Sequence, residues 1–209
     1  MTEAYILDMT GAAPPENAAD LLPPWRRERY ERLKNERARA ESLWAGLLYA
    51  FALRRRGLDP AAPVDLLPAG KPVLRGSGSA HFSLSHSGRY VLCAVSCRPV
   101  GADVQQLRPA RAAIANRLHP GERAWLDGQP AGAWQAAFFR VWTRKEAWVK
   151  AVSRERMLSL SEADVLAPQP GLAFRDFTLP GGYAAALCGG EEPPDLTWLT
   201  DKEILADLA

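Results

Sequence analysis

The chain has 209 residues, of which 47% are hydrophobic and 24% charged, and its formal net charge is +2. Such a chain can bury a core as one large domain or two small ones, and so slight a charge excludes nucleic-acid binding driven by bulk electrostatics. Cys93, Cys97 and Cys188 lie in apolar, strand-like contexts without the paired spacing that holds zinc, so they read as buried, reduced thiols.

The opening MTEAYILDMTGAAPP has no basic region followed by a long apolar run, and nowhere do about 18 apolar residues stand together. The expectation is a soluble, cytoplasmic protein that does not enter a membrane. Residues 3–9 predict a short strand, and residues 12–24 a loop with one helical turn. From Trp25 to Arg56 no proline interrupts, and Tyr30, Leu33, Ala40, Leu43, Leu47 and Ala50 recur every three or four residues. That spacing predicts one long helix, Arg-rich in its first half and apolar in its second. HFSLSHS from His81 and YVLCAVS from Tyr90 predict two adjacent strands, and PVGADVQ a third, so residues 81–105 read as one β unit. Helices are expected from about Ala110 to Ala151, broken at DGQPAGA. VLAP, LAFRDFTL, YAAALCG and DLTWL then predict short strands, with a hairpin at Pro180, Gly181 and Gly182. This order suggests an α+β protein of two α/β halves, residues 1–98 and 99–209.

Three constellations carry chemistry. Asp103 and Gln105 stand two apart on a strand, so their side chains leave one face; they form either a solvated edge or part of an oxygen site for magnesium. Glu146 and Lys150 are one helical turn apart with Lys145 beside them, which is either an exposed salt bridge or an acid and a base sharing a site. SHSG at 85–88 reads as a tight turn or as a set of donors around a phosphate. Ser85 lacks the GxSxG elbow, which argues against a hydrolase nucleophile.

GKPVL at 70–74, HFSLSHSGRYVLCAVS, PVGADVQ and WTRKEAWVKA occur in that order. Together they closely resemble the 4'-phosphopantetheinyl transferases of the large monomeric type that serve peptide and polyketide synthetases, over roughly residues 24–166. The resemblance implies two similar halves forming a pseudo-dimer, with coenzyme A and magnesium in the cleft between them. It implies an acyl or peptidyl carrier protein as the partner, and transfer of the phosphopantetheine arm to a carrier serine with release of 3',5'-ADP. It assigns the metal to Asp103 and Glu146. Coenzyme A falls to Lys71, Ser85 and His86, to Lys145 and Lys150 near phosphate, and to Arg26 and Arg29 at the 3'-phosphate. Glu146 is the candidate base, and Lys145 and Lys150 are the candidate cations on the leaving side.

Two positions depart from the family pattern. Gln105 replaces the second acid of GxDxE, leaving two carboxylates where three are usual, which motivates a rival reading as a non-catalytic coenzyme A binding or carrier-docking protein. After Lys150, AVSRERMLSLSEADV lacks a glycine that relatives often carry. Met157 and Leu158 there either touch the carrier or pack in the core, and Arg108, Arg111 and Arg117 are candidates to steer an acidic carrier. A nucleic-acid module using the Arg-rich helix is disfavoured, because Glu28, Glu31 and Glu36 interrupt its basic run.

Overall fold

The computed structural model describes the chain apart from residues 69, 77–79, 110–111, 153–155, 157 and 191, and apart from the side chains of 112 and 113. Arg111 and Met157 therefore lie outside the described residues.

Helix α2 (Glu36–Arg55) is buried at every position from Ser42 to Leu53, so it is wrapped on all sides. It packs on a four-stranded sheet of order β4-β5-β1-β9, made of β1 (Glu3–Asp8), β4 (His81–Ser87), β5 (Tyr90–Ser96) and β9 (Thr197–Leu199). Helix α1 (Pro24–Arg32), a 3-10 turn at Ala18–Leu21 and the final helix cover it further. A small hairpin of β2 (Val64–Leu66) and β3 (Pro72–Leu74) completes the first half.

The second half follows the same plan. Helix α5 (Ala131–Val152) lies on an antiparallel sheet of order β6-β8-β7, made of β6 (Val100–Gln106), β7 (Ala173–Leu179) and β8 (Tyr183–Gly189). Short helices α3 (Ala112–Ala115) and α4 (Pro120–Asp127) lead from β6 to α5. The two sheets share a core in which Ile6, Tyr90, Leu92 and Ala94 join Val100, Ala102, Val104 and Leu187. The layers run helix, sheet, sheet, helix, a mixed α+β architecture of two α/β halves. Strand β5, packed between α2 and the other sheet, is buried at every residue, which is why YVLCAVS shows no polar alternation.

Several sequence expectations change. The long helix breaks at Leu33–Asn35, because Asn35 adopts an extended backbone and its side chain accepts from Ala38 N at 3.0 Å, capping α2. Residues 81–105 do not form one sheet: β4 and β5 pair with each other, while β6 joins the second sheet. Residues 165–168 are not a strand; Val165 N instead donates to Glu122 Oε1 at 2.8 Å. Cys97 is exposed, while Cys93 and Cys188 are buried as expected. The carboxy-terminal segment returns to the first half, where β9 pairs in parallel with β1 and α6 (Asp201–Leu208) packs on α2. Arg32 pairs with Glu28 and Arg37 with Glu41 along the basic stretch, so its charges are partly spent within the helices. Among the described residues no helix is long and apolar enough to cross a membrane.

Helix α5 crosses β6 so closely that a Cβ at Gly101 would run into the Ala147 carbonyl oxygen. That approach sets the residues beside Ala147 on α5 next to the strand. Gly101→Ala is expected to push the helix off the sheet, at a cost of about 1–3 kcal/mol or more. Chemical denaturation checks this, and an unchanged midpoint would show that the helix has room to move.

Candidate functional site

Strand β6 is hydrogen-bonded to β8 along one edge only, with Asp103 at its middle opposite Ala186. Backbone groups of an antiparallel strand point alternately to its two sides, and buried ones need partners. On the free edge of β6 those partners are side chains. Ser83, Ser85 and Ser87 of β4 accept from the N–H groups of Ala102, Val104 and Gln106 at 3.0, 3.2 and 3.0 Å. Two ammonium groups donate to carbonyls on the same edge, Lys71 to Val100 at 3.1 Å and Lys150 to Ala102 at 3.0 Å.

Asp103 is only 2% exposed. Its Oδ1 accepts from Lys150 Nζ at 2.7 Å and Ser85 Oγ at 2.8 Å, and its Oδ2 from Gln105 Nε2 at 3.1 Å. Gln105 has to present its amide nitrogen there, since its oxygen would face a carboxylate oxygen. Glu146, one turn before Lys150 on α5, has its pKa raised, first by burial and then by the negative charge of Asp103, with Lys150 acting against both. A cavity of about 420 Å³ opens at this point between the halves. Lys71, Phe82 and Ser83 line it from the first half, and Trp142, Glu146, Lys150 and Leu158 from the second, with Arg117 also in its wall.

The structure thus brings Asp103, Gln105, Glu146, Lys150, Lys71 and Ser85 together. Lys145 is elsewhere. Its ammonium is fully buried, 2.6 Å from Glu122 Oε1 and bonded to the Ala163 carbonyl, so it does not face the cleft where the resemblance placed it. The KEA lysine is a core ion pair here, and burial lowers its pKa against the pull of Glu122.

The remaining basic positions sit on the first half. Arg29 is exposed, but Arg26 is only 5% exposed, with Nη2 donating to the Ser42 carbonyl at 2.7 Å and Nε buried without a hydrogen-bond partner among the described residues. Burial, followed by the charge of Arg29, pushes the Arg26 guanidinium down to about 10. His86 Nδ1 lies 3.1 Å from Glu41 Oε2. Burial holds its imidazole below the ordinary value despite Glu41, and Arg26 and Arg29 add to that depression. An anion would relieve this gathering of positive charge. SHSG is mostly strand rather than turn: Ser85 to Ser87 end β4, and only Gly88, with φ of +58°, begins the turn.

For a metal, the donor set suits magnesium, which commonly takes one or two carboxylates and fills its shell with phosphate and water. Among the described residues no group of three or more histidine, cysteine, aspartate or glutamate side chains gathers to hold an ion. The negative charge of Asp103, which disfavours ionisation of Glu146, nevertheless makes the pair an electrostatic fit for a divalent cation shared with a phosphate ligand.

Sequence reasoning missed Ser83, the strand-edge contact of Ser87, which it had counted only among the SHSG donors, and Glu122. The alternation of serines in HFSLSHS was a legible signal for the first two; Glu122 carried none, because its partner Lys145 lies 23 positions away in the sequence.

Residues 99–188 match the family model described as the 4'-phosphopantetheinyl transferase superfamily. The chain is 30% identical over 139 residues to a 4'-phosphopantetheinyl transferase of Bacillus subtilis, covering 66% of this chain and 61% of that protein. It is 39% identical over 132 residues to 4'-phosphopantetheinyl transferase psf-1 of Bacillus pumilus, covering 57% of each. With 4'-phosphopantetheinyl transferase Sfp of Bacillus subtilis (strain 168) the identity is 25% over 207 residues, 91% of this chain and 92% of the relative. The first two matches thus span about three fifths of the relatives' length, and the third nearly all of it.

Proposed function

The chain belongs to the 4'-phosphopantetheinyl transferase superfamily, and on that premise we propose that it transfers the phosphopantetheine arm of coenzyme A to a serine of an acyl or peptidyl carrier protein. The observation that carries this reading is that Glu146 and Lys150 line a cavity between the two halves, with the buried Asp103 carboxylate bonded to Lys150. We take the halves to meet near residue 98 as a pseudo-dimer, with the protein acting as a cytoplasmic monomer.

In the reaction, the carrier serine oxygen attacks the β-phosphorus of coenzyme A. The new O–P bond forms as the bond to 3',5'-ADP breaks, and the hydroxyl proton leaves to a base. Glu146 is that base, directly or through a water, on the carboxylate oxygen that a bound metal would leave free. Magnesium, held by Asp103 and Glu146 with Gln105 beside them, would supply charge neutralisation at the pyrophosphate. Lys150, fixed by Asp103 and the Ala102 carbonyl, places a cation on the leaving side, and Lys71 adds a second cation in the cavity wall. Arg29 and His86, with Arg26 beneath them, are suited to the 3'-phosphate. Lys145 acts only as a buried strut.

Incubating the protein with coenzyme A, magnesium and an apo carrier should increase the carrier's mass by one phosphopantetheine. Coenzyme A binding without a mass gain would favour the rival, non-catalytic reading that Gln105 motivates. Gln105→Glu is expected to lower the magnesium concentration for half-maximal activity severalfold, since it restores a charge and removes the amide hydrogen bond on Asp103 Oδ2. An unchanged magnesium requirement would exclude Gln105 from the metal site.

A further inference from the structure

The free edge of β6 raises a question that the proposed chemistry leaves open: what keeps the two halves apart at the cleft. Strands β4 and β6 are each the last strand of their sheet and lie beside one another. Two such edges ordinarily pair backbone to backbone at about 4.8 Å, merging the sheets. Here a hydroxyl is inserted at each step instead. Ser83, Ser85 and Ser87 point the same way because strand side chains alternate, and each meets an N–H of β6 that also recurs every second residue. Serine is the shortest side chain with a hydroxyl acceptor. Alanine would leave the amide unpaired, and asparagine would drive the strands further apart.

We infer that this serine row is a positioning device for the reaction proposed above, and that Ser83 and Ser87 set the geometry of the cleft without touching the reacting groups. The backbone at Ala102 shows how. Its N–H is held by Ser83 Oγ, while its carbonyl holds the Lys150 ammonium. Shifting the strand at Ala102 shifts the cation. On the next step Ser85 links both ways, accepting from Val104 N and donating to Asp103 Oδ1. Ser87 closes the row at Gln106 N, where the strand leaves the interface. The three contacts fix both the register and the separation of the halves where Asp103, Lys150 and Glu146 meet.

The test uses Ser83→Ala, Ser87→Ala and their combination in the full chain, with Ser87→Thr as the conservative variant that retains the hydroxyl at a partly exposed position. Hydrogen exchange at the Ala102 and Gln106 amides reports each contact, and calorimetry with coenzyme A and magnesium reports the cleft. Each alanine should speed exchange at its own partner amide and weaken coenzyme A about fivefold, the equivalent of one ordinary hydrogen bond. Ser87→Thr should restore both. If exchange at the partner amides does not change, the hydrogen bonds are not the ones described. If it speeds while coenzyme A affinity and the Michaelis constant stay within twofold, the row is scaffold only; either result overturns the inference. Should Ser83→Ala fail to fold, Ser87→Ala alone decides. Absence of transfer by the unmodified protein would sink the proposed reaction instead, and the exchange and binding readouts would still judge the row.

Discussion

Glu146→Gln should reduce the transfer rate by at least about 100-fold, the lower end of what a positioned general base contributes, while making the free protein more stable at neutral pH. The second effect has an electrostatic cause. Burial, and then the charge of Asp103, raise the Glu146 pKa above its value in the unfolded chain. A carboxyl shifted upward favours the folded state at pH below its unfolded pKa. That contribution is lost as pH rises through the folded value. At neutral pH the ionised side chain is therefore a burden on the fold, which a neutral glutamine removes. The stability difference between the two proteins should shrink as pH falls and Glu146 becomes protonated. Near-normal turnover of the variant at saturating magnesium would exclude the base role, and a variant less stable at neutral pH would contradict the electrostatic account.

Lys145→Met should be the most destabilising single change near the site, costing about 3–5 kcal/mol, because it leaves the buried Glu122 carboxyl without its ammonium partner. For a chain of this size that corresponds to a fall in Tm of about 6–20 °C. Adding Glu122→Leu should recover only part of the loss. Glu122 also accepts from His119 N at 3.0 Å and Val165 N at 2.8 Å, and those two amides would be orphaned. Thermal unfolding distinguishes this reading from a direct role at the substrate. A Lys145→Met protein with unchanged Tm but weakened coenzyme A binding would put the ammonium in the cleft after all.

The contrast between Lys145 and Lys150 marks where the sequence stops being sufficient. At about 100° per residue, Glu146 and Lys150 are about 40° apart around the α5 axis, while Lys145 and Lys150 are about 140° apart. Periodicity therefore shows that the two lysines cannot serve the same face. It does not show which face meets the core, because Trp142, Trp148 and Val149 leave the helix apolar on several sides. The same holds for Arg26, whose place in a basic run reads as solvated but whose side chain runs over Gly46, where α1 and α2 are in contact.

By itself the sequence determined the mixed α+β class, strands at 81–87, 90–96 and 99–105, the apolar helical runs and the motifs by which the chain resembles a known family. These are legible because β-branched runs, turn residues and ordered motifs act locally. The carboxylates Asp103 and Glu146 were nameable for the same reason. Tertiary structure alone decided that β6 belongs to a different sheet from β5, that β9 returns to the first half, and that Lys145 is interior while Lys150 is in the cleft. The physical reason is that these outcomes depend on which surfaces close over one another. A hydroxyl such as Ser83 has the same propensity in any strand, and only the unpaired edge of β6 beside it turns that hydroxyl into a contact.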